Sequence, residues 1–507
     1  MRPLPRLPGW VPWAASMAAL LAIQFLCWGT PVPAGNEDHY LAVLRRVADP
    51  SFLAGDWTFG PRLPDRWVFD TLFGHLARWI PLEALGWTGR IATWVASLAG
   101  LVRIARVLGL GAAGTTGALG LFLLLGQALV GGEWMLGWFE AKAVAWSLWL
   151  HGTADVLGGR RSRGALLAGL AAVFHPAVGL VAGAALATAM LATVRPLRSL
   201  VRPAAIGSAA ALPGLAQALA MMAASGESSP GDWEFLARTF LRIHLDASTF
   251  DRTLVLATGI AAALVLWEAR RHPRQGAWRL APWLLALPGA LFLAGWVADR
   301  LEAWSLMALT PYRILPPLAL LLGCLSGASL LRQPDPVTRL RGGLLLAAAF
   351  LLCLPPLPWL VRDRLAEFRS AWNSPGDPWQ EAFDWVAAHT PEDALVLAPP
   401  WRGDAALRMR RPQVVHAAMP RYDRLAEWHR RVADLLGEDL PDRQTRDLGE
   451  VWRRAKARWA VMPPSRVSDL AARYGAAFIV TDAPLPGTPA FRSGPVAVHA
   501  LPLGSAP

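Results

Sequence analysis

Stretches of about twenty apolar residues recur along this 507-residue chain with arginine clusters between them, and that alternation limits the fold more than any other feature. In lipid, such a stretch can satisfy its backbone polar groups only as a helix. Taking the arginine clusters as marks of the cytoplasmic side, spans are expected at residues 10–30, 87–104, 111–130, 140–157, 204–224, 254–267, 280–297, 314–331 and 344–361. Residues 165–190 read either as one span or as two short ones turning at His175-Pro176. The hairpin is preferred because it returns Arg195, Arg198 and Arg202 to the arginine-marked side. The sum is about eleven spans, with the amino terminus cytoplasmic and the carboxy terminus outside.

Composition agrees. The chain is 54% hydrophobic and only 17% charged, against about 25% charged in soluble domains. A net charge of +12 invites a nucleic-acid reading, but the basic residues sit in short clusters between apolar runs, which is a topological pattern. Twenty-six tryptophans against four tyrosines also suit a membrane protein, since many stand at segment ends, where an amphipathic ring fits the headgroup layer. Cys27, Cys324 and Cys353 lie inside apolar runs and lack disulfide or metal spacing. A cleaved signal peptide is the rival reading of the first run, and the many later spans favour a retained anchor.

The expected fold class is therefore a polytopic α-helical membrane protein with a C-terminal extracytoplasmic α/β domain. Residues 1–361 form the membrane domain, with a structured first outer loop at 31–86, and 362–507 form the second domain. In the loop, apolar spacing predicts amphipathic helices over 37–48, with Asn36 as N-cap, and over 67–80. A further one is expected around 233–245. In the second domain, helices are expected at 377–388, 424–436, 448–456 and 465–474, with strands at 394–398, 414–418, 477–481 and 496–501. No glycine-rich nucleotide motif or phosphate loop is present there.

Ionisable residues near the spans are the site candidates. Glu37 and Asp38 fall in the first turn of a helix, where free N–H groups favour carboxylates. Ordinary capping explains them equally well. Their position just after a membrane exit, with His39, Tyr40, Asp49 and Asp56 nearby, makes them candidates for chemistry. Glu133, Glu140 and Lys142 bracket the second outer loop, where an ionisable group at a span is costly, although snorkelling also accounts for Lys142. His175 is a substrate contact or a polar turn residue. Tyr312-Arg313 places a guanidinium at the mouth of a span, which suits a phosphate or an interfacial anchor.

A basic amino terminus, one span, a long outer loop opening on an acidic motif, many further spans and an outer α/β tail resemble the GT-C superfamily of polyprenyl-phosphate-sugar-dependent membrane glycosyltransferases. More closely, Asn36-Glu37-Asp38-His39-Tyr40, Asp49-Pro50, Phe174-His175-Pro176, Tyr312-Arg313 and Trp379…Trp385…Thr390-Pro391…Pro399-Pro400 are similar to a bacterial multi-pass family of that shape. The resemblance implies an enzyme of the bacterial inner membrane that transfers a sugar from a polyprenyl-phosphate donor to an envelope acceptor on the outer face. Asp38 or Glu37 would serve as catalytic base or orient the acceptor, and His39, Tyr40, Asp56, Glu140, Lys142, His175, Tyr312 and Arg313 would bind substrate. Lys142 and Arg313 would stabilise the lipid phosphate. No cofactor is implied with certainty. Glu133 and Glu140 are separated and do not form the Asp-x-Asp pair of metal-using members, so metal dependence stays open. The partners are membrane lipids and a polyprenyl-phosphate sugar, with no nucleic acid. The alternatives are a non-catalytic scaffold or lipid-binding partner in envelope assembly, or a transporter, for which no internal inverted repeat is evident.

Overall fold

The computed structural model describes residues 9–60, 66–225, 228–272, 276–353, 366, 369, 376–440 and 448–502. A helix lies over every predicted apolar stretch: α1 (Val11–Trp28), α4 (Leu82–Val107), α5 (Ala112–Leu124), α6 (Ala141–Leu157), α7 (Arg161–Phe174), α8 (Pro176–Thr193), α9 (Val201–Ala224), α12 (Arg252–Arg271), α13 (Gly276–Arg300), α14 (Leu315–Leu330) and α15 (Pro336–Cys353). Among the described residues, the segments Val11–Trp28, Pro176–Thr193, Leu197–Ala224, Arg252–Arg271 and Gly276–Arg300 are long and apolar enough to cross a membrane. The others carry charges or fall short of that length.

The break between α7 and α8 follows from local chemistry. His175 is extended, with φ −145° and ψ 94°, and its Nδ1 accepts the Val178 N–H at 3.3 Å. Pro176 takes the first helical position, where its missing N–H costs nothing. The 165–190 stretch is thus two helices packed on each other, the hairpin arrangement.

Two boundaries differ from expectation. Helix α5 stops at Leu124 instead of running to 130 because Gln127 turns the chain, its amide oxygen accepting the N–H groups of Met135 and Leu136 at 2.9 and 2.7 Å. Helix α15 begins at Pro336, about two turns before the expected 344, because Asp335 caps it by accepting the Val337 and Thr338 N–H groups. Arg339 and Arg341 consequently ride on the helix. The tail of that predicted span, 354–361, and the domain boundary at 361/362 lie outside the described residues.

The loops expected on the outer side form α2 (Glu37–Ala48), α3 (Trp67–Leu76), α10 (Pro230–Arg238) and α11 (Arg242–Leu245). Helix α2 has the expected bounds. The helix expected around 233–245 is instead two short ones, and α3 ends four residues early. The C-terminal part has α16 (Pro378–His389), α17 (Ala405–Met409), α18 (Leu425–Leu436), α19 (Leu448–Ala460) and α20 (Pro464–Tyr474). These surround β1 (Val396–Leu397), β2 (Phe478–Thr481), β3 (Phe491–Ser493) and β4 (Val496–Ala500) in the order β1-β2-β4-β3. β1 and β2 are parallel, and the other pairs are antiparallel.

The strand expected at 414–418 is absent. Only Gln413 bridges to Val396, because the 31–86 loop takes the neighbouring backbone donors. Gln413 N–H donates to Asp56 Oδ2 at 2.8 Å and His416 N–H to Thr58 Oγ1 at 3.0 Å. β3 was not expected; it is a hairpin partner of β4, turned at Gly494.

The two largest hydrophobic clusters organise the chain. The larger joins α1, α4, α5, α6, α7, α8, α12, α13 and α14 around Trp146, Trp149 and Trp278. The second is shared: Trp233, Phe235 and Leu236 of α10 and Trp304, Met307 and Tyr312 pack with Trp428, Val432, Leu435 and Trp459 of the C-terminal part. Asp56 fastens the 31–86 loop to the C-terminal part through the Gln413 N–H, and its other oxygen accepts the Phe59 N–H at 2.8 Å. Asp56→Ala is expected to cost about 1–3 kcal/mol by leaving buried N–H groups unpaired. The readout is a lower melting temperature and faster proteolysis of the C-terminal part, and wild-type behaviour in both would remove Asp56 from the docking contact.

Candidate functional site

The opening motif distributes its residues among several neighbours, one by one. Gly35 lies against Trp138, where a Cβ would meet the indole at 2.4 Å. Asn36 does not cap α2 with its side chain; its Nδ2 donates to Glu140 Oε2 at 3.2 Å.

Glu37 is fully buried and saturated. Arg90 Nε donates to its Oε1 at 2.9 Å and Arg90 Nη2 pairs with its Oε2. The N–H groups of Phe139 and Ala34 add 2.7 and 3.2 Å bonds. A carboxylate so occupied ties three segments together and has no oxygen left for a substrate proton. Of the two carboxylates, Asp38 is the one with an oxygen that makes no hydrogen bond among the described residues.

Asp38 faces the C-terminal part. A Cβ on Gly403 would stand 2.8 Å from Asp38 Oδ2, so only glycine lets that loop lie so close. Behind it, Arg402 holds Asp404 through 2.8 and 2.6 Å bonds and Asp377 at 2.8 Å. Asp38 Oδ1 makes no hydrogen bond among the described residues. Burial pushes its carboxyl up to about 8, with Asp404 and Glu37 adding to the rise and Arg402 and Arg408 opposing it.

His39 and Tyr40 turn elsewhere. The His39 ring meets His416 edge-on at 5.3 Å, and Tyr40 lies under the Arg66 guanidinium at 4.0 Å. Asp56 is fully buried on backbone donors, and burial pushes its carboxyl to about 6 against those bonds. His39 and Asp56 join the loop to the C-terminal part, and Tyr40 packs within the loop. Both Asp56 oxygens are taken by backbone N–H groups, Oδ1 by Phe59 and Oδ2 by Gln413.

A separate cluster gathers the other candidates where α6 begins and α14 is entered. Glu133 is buried, with Lys142 Nζ 3.2 Å from Oε1 and Arg313 Nε 3.2 Å from Oε2. Neither cation meets it in hydrogen-bond geometry, so both oxygens are held by charge alone among the described residues. Burial would raise the Glu133 carboxyl, but Lys142 and Arg313 outweigh it and hold it at about 2.

Lys142 also stands 3.6 Å from Glu140 and 3.3 Å above the Trp134 ring. Trp134 Nε1 donates to Glu140 at 2.7 Å. His175 and His244 face the same charges, and burial, reinforced by Arg313 and Lys142, keeps both neutral, down to about 3. His244 Nδ1 donates to Gly131 O at 2.8 Å. Arg66 is the further cation felt by His175.

Glu140, Lys142, His175 and Arg313 thus come together around Glu133. Tyr312 does not. Its ring packs on Phe250 and Phe292 at 5.0 and 5.1 Å. Arg90, Arg66 and His244 were not singled out beforehand. Arg90 had a signal, being an arginine inside a predicted span. Among the described residues, no three His, Cys, Asp or Glu side chains group as metal ligands.

Known proteins add three findings. No curated protein matches the chain. Residues 377–435 match the model of a domain of unknown function, DUF6798. Over 97% of each chain, the fold is similar to the crystal structure of ArnT from Cupriavidus metallidurans bound to undecaprenyl phosphate, at 15% identity and a TM-score of 0.49. The matched segment 377–435 contains Gly403, Gln413, His416 and Arg421, which meet the 31–86 loop.

Proposed function

We propose that the chain is a GT-C-like glycosyltransferase that moves a sugar from a polyprenyl-phosphate donor to an envelope acceptor on the outer face of the inner membrane. The observation that supports this most is the Glu133 cluster, in which a buried lysine and a half-buried arginine are held 3.2 Å from one buried carboxylate whose oxygens lack hydrogen bonds among the described residues. Cations preorganised in a low-dielectric site stabilise a leaving phosphate strongly, and an arginine beside a lysine suits its oxygens. The neutral histidines add no competing charge.

In the proposed reaction an acceptor hydroxyl or amine attacks the anomeric carbon, and the bond to the lipid phosphate oxygen breaks. The phosphate leaves with the electron pair beside Lys142 and Arg313, and the acceptor proton passes to Asp38. A carboxyl poised near 8 is a serviceable base near neutral pH.

A non-catalytic, lipid-binding scaffold is the competing reading. In its favour, Glu133 and Glu140 already neutralise both cations within the protein.

Arg313→Gln separates the two. With a synthetic polyprenyl-phosphate sugar and purified protein, sugar release is expected to fall by about 10²–10³-fold while membrane abundance holds. Transfer at the wild-type rate, or none from the wild type with any donor tried, would favour the scaffold.

A further inference from the structure

The end of the bundle opposite the Glu133 cluster carries its own charge constellation. Helix α6 holds Lys142 in its first turn and Asp155 in its last, about 20 Å apart along the axis. Asp155 is fully buried and three arginines from two sides converge on it. Arg103 of α4 reaches Oδ1 at 2.5 Å, Arg160 Nε lies 3.3 Å from Oδ1 and Arg163 Nε 3.0 Å from Oδ2. Arg103 also pairs with His151 Nδ1 at 2.7 Å. One carboxylate among three guanidiniums leaves two positive charges uncompensated by contact.

The turn between α6 and α7 fixes this arrangement. Gly152 and Gly164 pack backbone to backbone, a Cβ on either standing 2.8 or 2.5 Å from the other's carbonyl oxygen. Arg160 N–H donates to Asp155 O at 2.7 Å across the turn. Arg160 and Arg163 pair through Nε, the inner nitrogen, while their side chains stay 60% and 62% exposed. Beyond Asp155 these two side chains make no hydrogen bond or ion pair among the described residues. Beside them, Val107 and Leu166 are exposed apolar side chains, and Val107 Cγ2 borders Gly158 of the same turn.

We propose that Arg103, Arg160 and Arg163 form a binding site for the phosphate of an anionic membrane lipid at this surface of the bilayer, with the acyl chains running past Val107 and Leu166. Guanidinium forks match phosphate oxygens in pairs, and basic pockets between membrane helices are suited to anionic headgroups. The apolar flank favours a lipid over free phosphate. The site is independent of the Glu133 cluster and of any reading of it. Arginines that served only to set topology would need charge without selectivity, and the test turns on that difference.

Full-length protein is reconstituted in phosphatidylcholine nanodiscs with or without phosphatidylglycerol, and melting temperature and lipid retention by native mass spectrometry are read. Phosphatidylglycerol is expected to raise the melting temperature and to be retained, whereas inorganic phosphate produces neither effect. The double variant Arg160→Gln/Arg163→Gln is expected to bind about 30-fold more weakly, two arginines at about 1 kcal/mol each. Arg160→Lys/Arg163→Lys keeps the topological charge and is also expected to lose retention, because lysine lacks the fork. Equal behaviour in both lipids, an equal effect of inorganic phosphate, or unchanged retention in the lysine variant would each overturn the proposal.

Discussion

Arg90→Ala is expected to cost about 3–5 kcal/mol of stability, the penalty for stripping one partner from a buried ion pair. Both side chains of the Arg90–Glu37 pair are fully buried. Arg90 Nη1 also donates to Trp28 O and Thr30 O at 3.3 and 2.5 Å, closing the carbonyl end of α1. Removing the guanidinium therefore leaves the buried Glu37 carboxylate without its counter-charge and takes a donor from the Trp28 and Thr30 carbonyls at once. Arg90→Lys should rescue little, since an ammonium cannot reproduce the fork. Thermal unfolding of the detergent-solubilised protein is the measurement. A variant that melts with the wild type would show that water relieves Glu37 and that the pair is not structural. Loss of activity in a Glu37 variant would follow from misfolding, which is why abundance must be measured beside turnover.

Asp38→Asn, one residue along the same helix, is expected to do the opposite, raising stability while abolishing sugar transfer. The folded carboxyl sits at about 8 against an ordinary 3.8, with burial the main cause and Asp404 next. Between those two values the folded chain binds more protons than the unfolded one. Stability contributed by this group is therefore fully present below about pH 4 and is lost as pH rises through about 8. The asparagine variant should lose that slope and melt above the wild type at pH 8, with the curves converging at low pH. If Asp38 is the base, wild-type turnover should climb as pH approaches 8 and the variant should show no such rise. A variant that transfers sugar normally would assign Asp38 to packing against Gly403 alone. The pairing of gain in stability with loss of function is common where a site keeps a strained charge.

Much of the helical framework was legible because its causes are local. An apolar run of bilayer length must close its own backbone bonds, so a helix fell on each predicted stretch. His175-Pro176 marked a helix break because proline's ring and missing N–H act on immediate neighbours. The bounds of α2 followed from apolar spacing and Pro50. Errors arose where a local signal was passed over, as with Asp335-Pro336 at the start of α15, or where distant groups intervened. The 414–418 segment has strand composition, yet its donors go to Asp56 and Thr58, more than 350 residues earlier.

The candidate residues show the same division. From the sequence alone came the charged residue types near the span ends, and with them Glu37, Asp38, Glu140, Lys142, His175 and Arg313 as a set. Which of them act together was decided only by tertiary packing. Glu37 spends its charge on Arg90, 53 positions away, while Lys142 and Arg313 meet through Glu133. Asp38 is left facing a glycine loop of the C-terminal part. Periodicity reports which face of a helix is apolar, through forces acting within one or two turns. An ion pair between separate helices depends on how those helices cross, and burial of the pair then sets its strength. No spacing along the chain carries that information.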